Sequence, residues 1–355
     1  MTRCGRLFLF FCGFARMTGF GGTISFAPQE KHPQEVSYKM KIVILDADSI
    51  GRDLDYAALE RFGEVTLWPS TSPAQLCGRI ADAECLLLNK VKITADALHS
   101  AQRLRLICIA ATGYDNVDIA ACHARGIAVT NVRGYSTRSV AQLTAAMVLS
   151  LASRLSEYTA FVNSGDYSAS GLPNRLTPVW HEIAGKTWGL LGYGEIARNV
   201  ASVAGAMGCN VIFCRKTPSD DPACVDIDTL CRQSDILTVH LPLTEETRGI
   251  LSAVRIAEMK PGALLVNVAR GAVIDEQAAA DAVLSGRLGG FGCDVYTTEP
   301  FPAEHPYTAL LGHPRVLLTP HMAWGTAEAR TRLLSEIGEN IAAFLKGERR
   351  NRVEI

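Results

Sequence analysis

From Lys41 onward, short apolar segments alternate with longer amphipathic ones, and this alternation constrains the fold more than any other feature of the sequence. The segments Lys41–Leu45, Cys85–Leu88, Thr187–Leu191 and Ala263–Asn267 are apolar along nearly their whole length. Strands that are apolar on both sides are typical of a parallel sheet with helices on both faces. The sequence therefore predicts an α/β fold built from doubly wound parallel sheets.

The length and the order of the segments predict two such units. The chain has 355 residues, and domains hold roughly 100–200 residues each. An amphipathic segment, Ser139–Leu155, predicts a long helix, and residues 163–181 predict a loop. A second series of strands starts after Gly185, and Ala327–Leu345 predicts a last amphipathic helix. We therefore expect two α/β domains in one chain.

Residues 1–39 do not match this pattern. Arg3 and Arg6 precede the apolar run Leu7–Ala15, which is superficially similar to a targeting segment but has no clean small-x-small cleavage site. The run is also far shorter than the roughly 20 residues that a membrane span needs. We predict that residues 1–39 are a disordered extension or a misassigned start, and we assign them no function.

Charge and cysteine content exclude several classes of protein. The 35 basic and 36 acidic residues give a formal net charge of −1, so no overall positive field attracts nucleic acid or anionic lipid. We therefore predict no nucleic-acid partner and no membrane partner. The 11 cysteines form no C-x-x-C pair and no cluster with histidine at metal-ligand spacing. This favours reduced thiols in a cytoplasmic protein without a metal site.

The most informative local motif follows the strand Thr187–Leu191. It has the pattern G-x-G-x-x-A between a strand and a helix, which is typical of a dinucleotide-binding turn. The glycines allow a tight turn and let backbone N–H groups approach a pyrophosphate at the start of the helix. We therefore predict that the cofactor contacts Gly192, Tyr193, Gly194, Glu195 and Ile196.

The choice between NAD and NADP depends on the end of the next strand. An acidic residue usually receives the ribose 2′-hydroxyl group of NAD at this position. Here the strand ends in Cys214-Arg215-Lys216 and has no acidic residue. Arg215 and Lys216 can either meet the 2′-phosphate of NADP or be solvated charges of a turn. The sequence predicts NAD(P), with NADP slightly favoured over NAD.

Three later segments bring an arginine, a glutamate and a histidine to the ends of predicted strands. They are "NVARGAVIDE" (267–276), "CDVYTTEP" (293–300) and "TPHMAWGT" (319–326). Arg270 can hold the carboxylate of a 2-keto acid and polarise its keto oxygen. His321 can exchange a proton with the alkoxide, and Glu299 can orient the imidazole ring. We predict these three residues to be catalytic, with hydride transfer from a nicotinamide.

In the order and content of these motifs, the chain from Met40 to Ile355 resembles the D-isomer-specific 2-hydroxy acid dehydrogenases. The resemblance implies a Rossmann cofactor domain, residues 139–322, inserted into a smaller flavodoxin-like substrate domain made of residues 40–138 and 323–355. It also implies that the arginine, glutamate and histidine above are catalytic, that the active site lies between the domains, and that the protein is a homodimer.

The resemblance implies further contacts. Additional cofactor residues are His240, Pro242, Val268, Ala269 and Asp294. Of these, Asp294 would contact the nicotinamide carboxamide, and a structural role for His240 is equally open. The implied substrate residues are Asn89, Lys90, Val91, Thr112 and Gly113, whose backbone N–H groups would bind the substrate carboxylate. Lys90 can alternatively be an exposed loop lysine.

Three segments are similar to the glycerate dehydrogenase, or hydroxypyruvate reductase, branch of the family. They are "LLLNKVKIT" (86–94), "IAATGYDNVD" (109–118) and "TPHMAWGTAEAR" (319–330). Hydroxypyruvate or glyoxylate is the substrate that this similarity implies. Two alternatives stay open: a dehydrogenase of another 2-hydroxy acid such as D-lactate, and a cofactor-sensing regulatory protein of the same fold.

Overall fold

A computed structural model describes residues 39–217 and 219–353, in which two parallel sheets follow one another along the chain. The first sheet contains β1 (Met40–Ile44), β2 (Gly63–Leu67), β3 (Cys85–Leu88), β4 (Leu106–Ile109) and β5 (Ala128–Thr130). Its strands pair in the order β2-β1-β3-β4-β5, and every pair is parallel. The two strands that the sequence analysis named in this half, Lys41–Leu45 and Cys85–Leu88, are confirmed to within one residue.

Short helices connect these strands. They are α1 (Ala47–Ile50), α2 (Pro73–Ile80), α3 (Ala95–Leu98) and α4 (Ile119–Ala124), and residues 56–62 form a 3-10 helix. Ser72 is the N-cap of α2, and Pro73 is its first helical residue, which are typical residues for these positions. The backbone N–H of Ser72 donates to Oε1 of Gln75 at 3.1 Å, which is half of a capping box.

The second sheet contains β6 (Thr187–Leu191), β7 (Asn210–Cys214), β8 (Ile236–Val239), β9 (Ala263–Asn267), β10 (Leu288–Cys293) and β11 (Val316–Leu318). These strands are also parallel, in the order β7-β6-β8-β9-β10-β11. The chain order reverses at β6, which has β7 on one side and β8 on the other. In open α/β sheets, ligands bind at the carboxyl ends of the strands beside such a reversal.

The helices that follow the first sheet are α5 (Thr137–Ala152), α6 (Leu155–Asn163), α7 (Asp166–Ser170), α8 (Glu195–Ala206), α9 (Ile227–Gln233), α10 (Ala253–Glu258), α11 (Glu276–Leu284) and α12 (Ala327–Leu345). The bounds predicted for α12 are confirmed. The helix predicted over residues 139–155 starts and ends earlier, as α5. It ends earlier because Arg154 has a left-handed backbone (φ 51°) that separates α5 from α6. The predicted loop 163–181 contains α7.

Buried side chains divide between the two sheets. Leu333, Ile337 and Ile341 of α12 are buried against the first sheet, although α12 follows the second sheet in the chain. Met147 and Val148 of α5 are buried against the second. We call the first sheet with α1–α4 and α12 the first lobe, and the second sheet with α5–α11 the second lobe. The second lobe is thus inserted into the first, and the exact boundaries at 138/139 and 322/323 stay a prediction.

Two further findings concern the part of the chain that the structure describes. Its nine cysteines are all free. None of its helices combines the length and the apolar character that crossing a membrane requires.

Candidate active site

The turn after β6 has the geometry that a phosphate group needs. Gly192 has a φ of 96°, and a Cβ atom there would lie 2.8 Å from the carbonyl oxygen of His240. A Cβ atom at Gly194 would meet no atom within 4 Å, so this side of the turn is open. The helix α8 begins at Glu195 and directs its free N–H groups and its positive dipole end towards that space. These features fit the pyrophosphate of a dinucleotide.

A second feature of the same crevice is the imidazole of His240, which follows β8. Its Nε2 lies 2.9 Å from Oγ1 of Thr238, which also accepts from Nε1 of the buried Trp188 at 3.1 Å. Burial lowers the pKa of His240 to about 3, so the ring is neutral at neutral pH. Its Nδ1 is buried and has no partner within the described residues. Because buried polar atoms are normally paired, this nitrogen fits a contact with a bound ligand.

The other predicted cofactor residues lie around this crevice with different surroundings. The ring of Tyr193 stacks on Phe213, with 3.7 Å between centroids, so the hydroxyphenyl group packs on β7. Nζ of Lys216 lies 2.5 Å from Oε2 of Glu246, while Arg215 makes no ion pair within the described ranges. The remaining residues of the set lie on α8 or directly after β8 and β9: Ile196, Pro242, Val268 and Ala269.

Glu299 and His321 form a tight pair on the loops after β10 and β11. Nδ1 of His321 lies 2.8 Å from Oε1 and 2.7 Å from Oε2 of Glu299. Burial raises the pKa of Glu299, but the hydrogen bond and charge of His321, together with Lys90, outweigh it and lower the pKa to about 2. An ionised carboxylate only accepts hydrogen bonds, so Nδ1 carries the proton of this contact. The other ring nitrogen, Nε2, is then available to a substrate.

Asp294 holds the loop that carries His321. Its carboxylate accepts from Oγ1 of Thr319 at 2.6 Å, from N of Met322 at 2.9 Å and from N of Ala323 at 2.8 Å. Burial raises the pKa of this carboxyl group, and these three hydrogen bonds oppose the rise. Asp294 is completely buried. Its contact with a nicotinamide carboxamide stays a prediction, whereas its hold on both sides of His321 was not predicted.

Arg270 reaches from the second lobe to the turn after β4. Its Nε lies 3.8 Å from Oδ1 of Asp115, and a Cβ atom at Gly113 would overlap Nη2. The buried Asn267 fixes the backbone on this side, because its Nδ2 donates to the Arg270 carbonyl at 3.0 Å and its Oδ1 accepts from N of Ala269 at 3.1 Å. The guanidinium therefore lies in the cleft between the lobes.

The loop after β3 differs from the expectation in one respect. The backbone N–H groups of Asn89, Lys90 and Val91 donate to the carboxylate of Asp46 at 2.9, 2.6 and 3.1 Å. Asp46 is almost fully buried at the end of β1, and a buried carboxylate needs such partners. These three N–H groups are therefore paired within the chain rather than free for a substrate carboxylate. The hydroxyl group of Thr112 is also paired, since it donates to the Val132 carbonyl at 2.8 Å.

The side chain of Lys90 crosses the cleft. Its Nζ lies 3.0 Å from Oε2 of Glu299 and 2.9 Å from Nδ1 of His321. Lys90 of the first lobe thus meets Glu299 and His321 of the second, and Gly113 of the first lobe meets Arg270 of the second. Sequence analysis missed Asp46 and Asn267, although each directly follows or ends an apolar strand. Among residues 39–217 and 219–353, no cluster of three or more His, Cys, Asp or Glu side chains could hold a metal ion.

Comparisons with known proteins agree with this geometry. Residues 145–323 match the family model described as D-isomer specific 2-hydroxyacid dehydrogenase, NAD binding domain. A glycerate dehydrogenase of Methylorubrum extorquens is 35% identical over 88% of this chain and 99% of its own length. The chain belongs to the D-isomer-specific 2-hydroxyacid dehydrogenase family. It is therefore an oxidoreductase with an NAD-binding domain that acts on CH–OH groups.

Two further relatives of this dehydrogenase cover most of its length. A hydroxypyruvate reductase of Blautia hydrogenotrophica is 34% identical over 87% of this chain and 98% of its own. A solved structure of an acyclic imino acid reductase in complex with NADPH and D-Arg superposes with a TM-score of 0.77 and 28% identity, covering 89% of this chain and 100% of that one. The predicted fold of two parallel-sheet α/β domains is confirmed.

The closeness of Gly113 to Arg270 leads to a first prediction. In Gly113→Ala, the new methyl group overlaps Nη2 and displaces the guanidinium. We expect the KM for the keto acid to rise about tenfold or more, because small misplacements of substrate-holding groups are costly. Steady-state kinetics measure this change. Gly78→Ala is the matched control, since its Cβ meets no atom within 4 Å. An unchanged KM in Gly113→Ala would contradict the assignment of Arg270.

Proposed function

We propose that this dehydrogenase reduces small 2-keto acids to D-2-hydroxy acids with NAD(P)H, and that hydroxypyruvate or glyoxylate is its substrate. The observation that carries the proposal is the tight Glu299–His321 pair, and the contacts of Lys90 with this pair and of Arg270 with Asp115 both cross from one lobe to the other. Relatives named glycerate dehydrogenase and hydroxypyruvate reductase support the choice of substrate.

Each catalytic side chain has one role in this reaction. The Arg270 guanidinium binds the substrate carboxylate and the keto oxygen by forked N–H donors. The turn at residues 192–196 and Nδ1 of His240 would hold a nicotinamide cofactor, which would supply the hydride to the keto carbon. His321 gives the Nε2 proton to the former keto oxygen, so the C=O π bond is replaced by one C–H and one O–H bond. Glu299 accepts from Nδ1 and keeps the ring oriented throughout.

For the cofactor, we propose NAD(P) with a slight preference for NADP. The absence of an acidic residue at positions 215 and 216 removes the usual partner of the NAD ribose. Lys216 is paired with Glu246, so Arg215 is the cation that remains for a 2′-phosphate. This assigns the two basic residues different roles, which the sequence alone did not distinguish.

We also propose that the protein is a cytoplasmic homodimer. Large apolar side chains of α6 and of the segment between α6 and β6 are exposed: Leu155, Val162, Leu172, Leu176, Val179 and Trp180. Leu176 is 76% exposed and Leu172 63%. A contiguous stretch of exposed apolar side chains marks a surface that another protein covers. A second copy of the chain would cover this stretch. The free cysteines of the described residues support a reducing compartment.

The reaction is tested by one activity matrix of glyoxylate, hydroxypyruvate and pyruvate, each with NADH and NADPH. We expect turnover with the first two acids; preference for pyruvate would indicate a D-lactate dehydrogenase, and no turnover would favour a cofactor-sensing protein.

His321→Ala should lower kcat by about 100-fold or more, since it removes the proton donor. His123→Ala, on the exposed face of α4, is the control. Wild-type turnover in His321→Ala would refute the mechanism.

The cofactor proposal predicts a selective effect of Arg215→Ser. We expect the KM for NADPH to rise about tenfold, because one charge-assisted contact to the 2′-phosphate is lost. The KM for NADH should stay within twofold. Arg232→Ser, which removes an exposed arginine of α9, is the control for net charge. An equal rise for both cofactors would show that Arg215 does not read the 2′-phosphate.

The dimer predicts a concentration-dependent mass in sedimentation. Leu176→Glu introduces a charge into the exposed apolar stretch, and we expect it to shift the protein to a monomer. Val254→Glu is the matched control, because Val254 of α10 is 68% exposed and lies outside the stretch. A wild-type monomer at micromolar concentration would contradict the proposal.

A further inference from the structure

Lys90 is the first-lobe cation at the catalytic pair. The loop that bears it follows β3, whereas Glu299 and His321 follow β10 and β11 of the second lobe. Nζ donates to Oε2 of Glu299 at 3.0 Å, and the side chain of Lys90 is 47% exposed. Its charged end meets a carboxylate of the opposite lobe, so packing alone does not explain its position.

The position of Lys90 relative to the two ring nitrogens indicates how it acts. Nζ lies 2.9 Å from Nδ1 of His321, on the side of the ring that faces Glu299. An ammonium group has donors only, and Nδ1 already donates to the carboxylate. The bond of Lys90 therefore goes to Glu299, and its charge lies beside the imidazole without accepting or donating there. Nε2, which faces the substrate in the proposed reaction, makes no contact with Lys90.

The charges around His321 indicate which protonation state of the ring Lys90 favours. Glu299 and Lys90 contact the ring, and the hydrogen-bonded Asp294 lies near enough to interact with its charge. When the ring carries two protons, two cations share one carboxylate at Glu299. When Nε2 has lost its proton, the ring is neutral and Lys90 alone balances the carboxylate. Lys90 therefore stabilises the state after proton donation relative to the state before it.

Asp46 fixes the backbone from which Lys90 extends. Its two carboxylate oxygens accept from three successive N–H groups, at residues 89 to 91. These contacts join the ends of β1 and β3, the strands beside the order reversal of the first sheet. The Cα atom of Lys90 is thus held by a buried group, although its side chain is largely in solvent.

From these contacts we propose that Lys90 is a positioning residue for proton transfer, which acts through Glu299 from the opposite lobe and favours release of the His321 proton to the substrate oxygen. This inference rests on the proposed reduction of 2-keto acids. It replaces the expectation that Lys90 contacts the substrate. The step itself is unchanged: the N–H bond of Nε2 breaks, the O–H bond forms, and the keto carbon takes the hydride.

A double-mutant cycle with Lys90→Met and Glu299→Gln tests the proposal. In the otherwise native enzyme, we expect Lys90→Met to lower kcat for reduction about tenfold, which is the size of coupling that residues in contact commonly show. The KM for the keto acid should change less than twofold. In the Glu299→Gln background, the same change should alter kcat less than twofold. Lys90→Arg, which can still donate to the carboxylate, should recover most of the loss.

The control is Lys92→Met, which removes the same charge from an exposed residue two positions along the loop. Lys92→Met should leave kcat and the KM for the keto acid unchanged. This result separates a local contact of Lys90 from a general attraction of the anionic substrate by positive charge. Equal losses from Lys90→Met in both backgrounds, or a rise in KM without loss of kcat, would overturn the proposal and restore a substrate contact. No effect of Lys90→Met on kcat would also overturn it.

A second measurement does not require turnover and so separates this proposal from the proposed function. The carboxyl carbon of Glu299, labelled with carbon-13 and assigned by its loss in Glu299→Gln, reports the charge of that group during a pH titration. Lys90 helps to lower the pKa of Glu299, so its titration should move to higher pH in Lys90→Met. If the titration of Glu299 did not move in Lys90→Met, the contact between Lys90 and Glu299 would be refuted. This result does not depend on whether the protein reduces glyoxylate, hydroxypyruvate or pyruvate.

Discussion

Every strand pair in both sheets is parallel, and this shared direction brings distant residues to one cleft. The loops after β3, β9, β10 and β11 all leave from carboxyl ends of strands, and they carry Lys90, Arg270, Glu299 and His321. The crossed contacts between Lys90 and Glu299, and between Arg270 and Asp115, join the edges of the two lobes. With antiparallel strands, successive loops would alternate between opposite edges and these residues would not meet.

Buried polar side chains support the backbone at three of these four residues. Asp46 holds the backbone at Lys90, Asn267 holds that at Arg270, and Asp294 holds that around His321. All three lie at the ends of strands and are buried. A buried polar group without partners would be unfavourable, so each requires the backbone groups that it binds. The reactive side chains are partly exposed, but their backbones are fixed from within the protein.

The sequence predicted local features better than distant ones. The four apolar strands named from the sequence were placed to within one residue, and the predicted bounds of α12, Ala327–Leu345, are those observed. Such features depend on neighbours within a few positions. The contact between Asp46 and the loop at Asn89 joins residues 43 positions apart, so no local pattern reveals it. The predicted loop 163–181 hid α7, whose five residues, all partly or fully exposed, leave no buried apolar face to recognise.

The paired charges of the cleft also bear on how an anionic substrate is accepted. Each lobe presents one cation and one anion to its opposite on the other lobe: Lys90 meets Glu299, and Asp115 meets Arg270. The carboxylate of Asp115 is 69% exposed and 3.8 Å from Nε, so this pair is weak and screened by solvent. A substrate carboxylate at Arg270 would replace one carboxylate by another without leaving a buried charge unpaired. The pair at Glu299 is closer, and its carboxylate side chain is less exposed than that of Asp115, so we expect solvent and substrate to weaken it less.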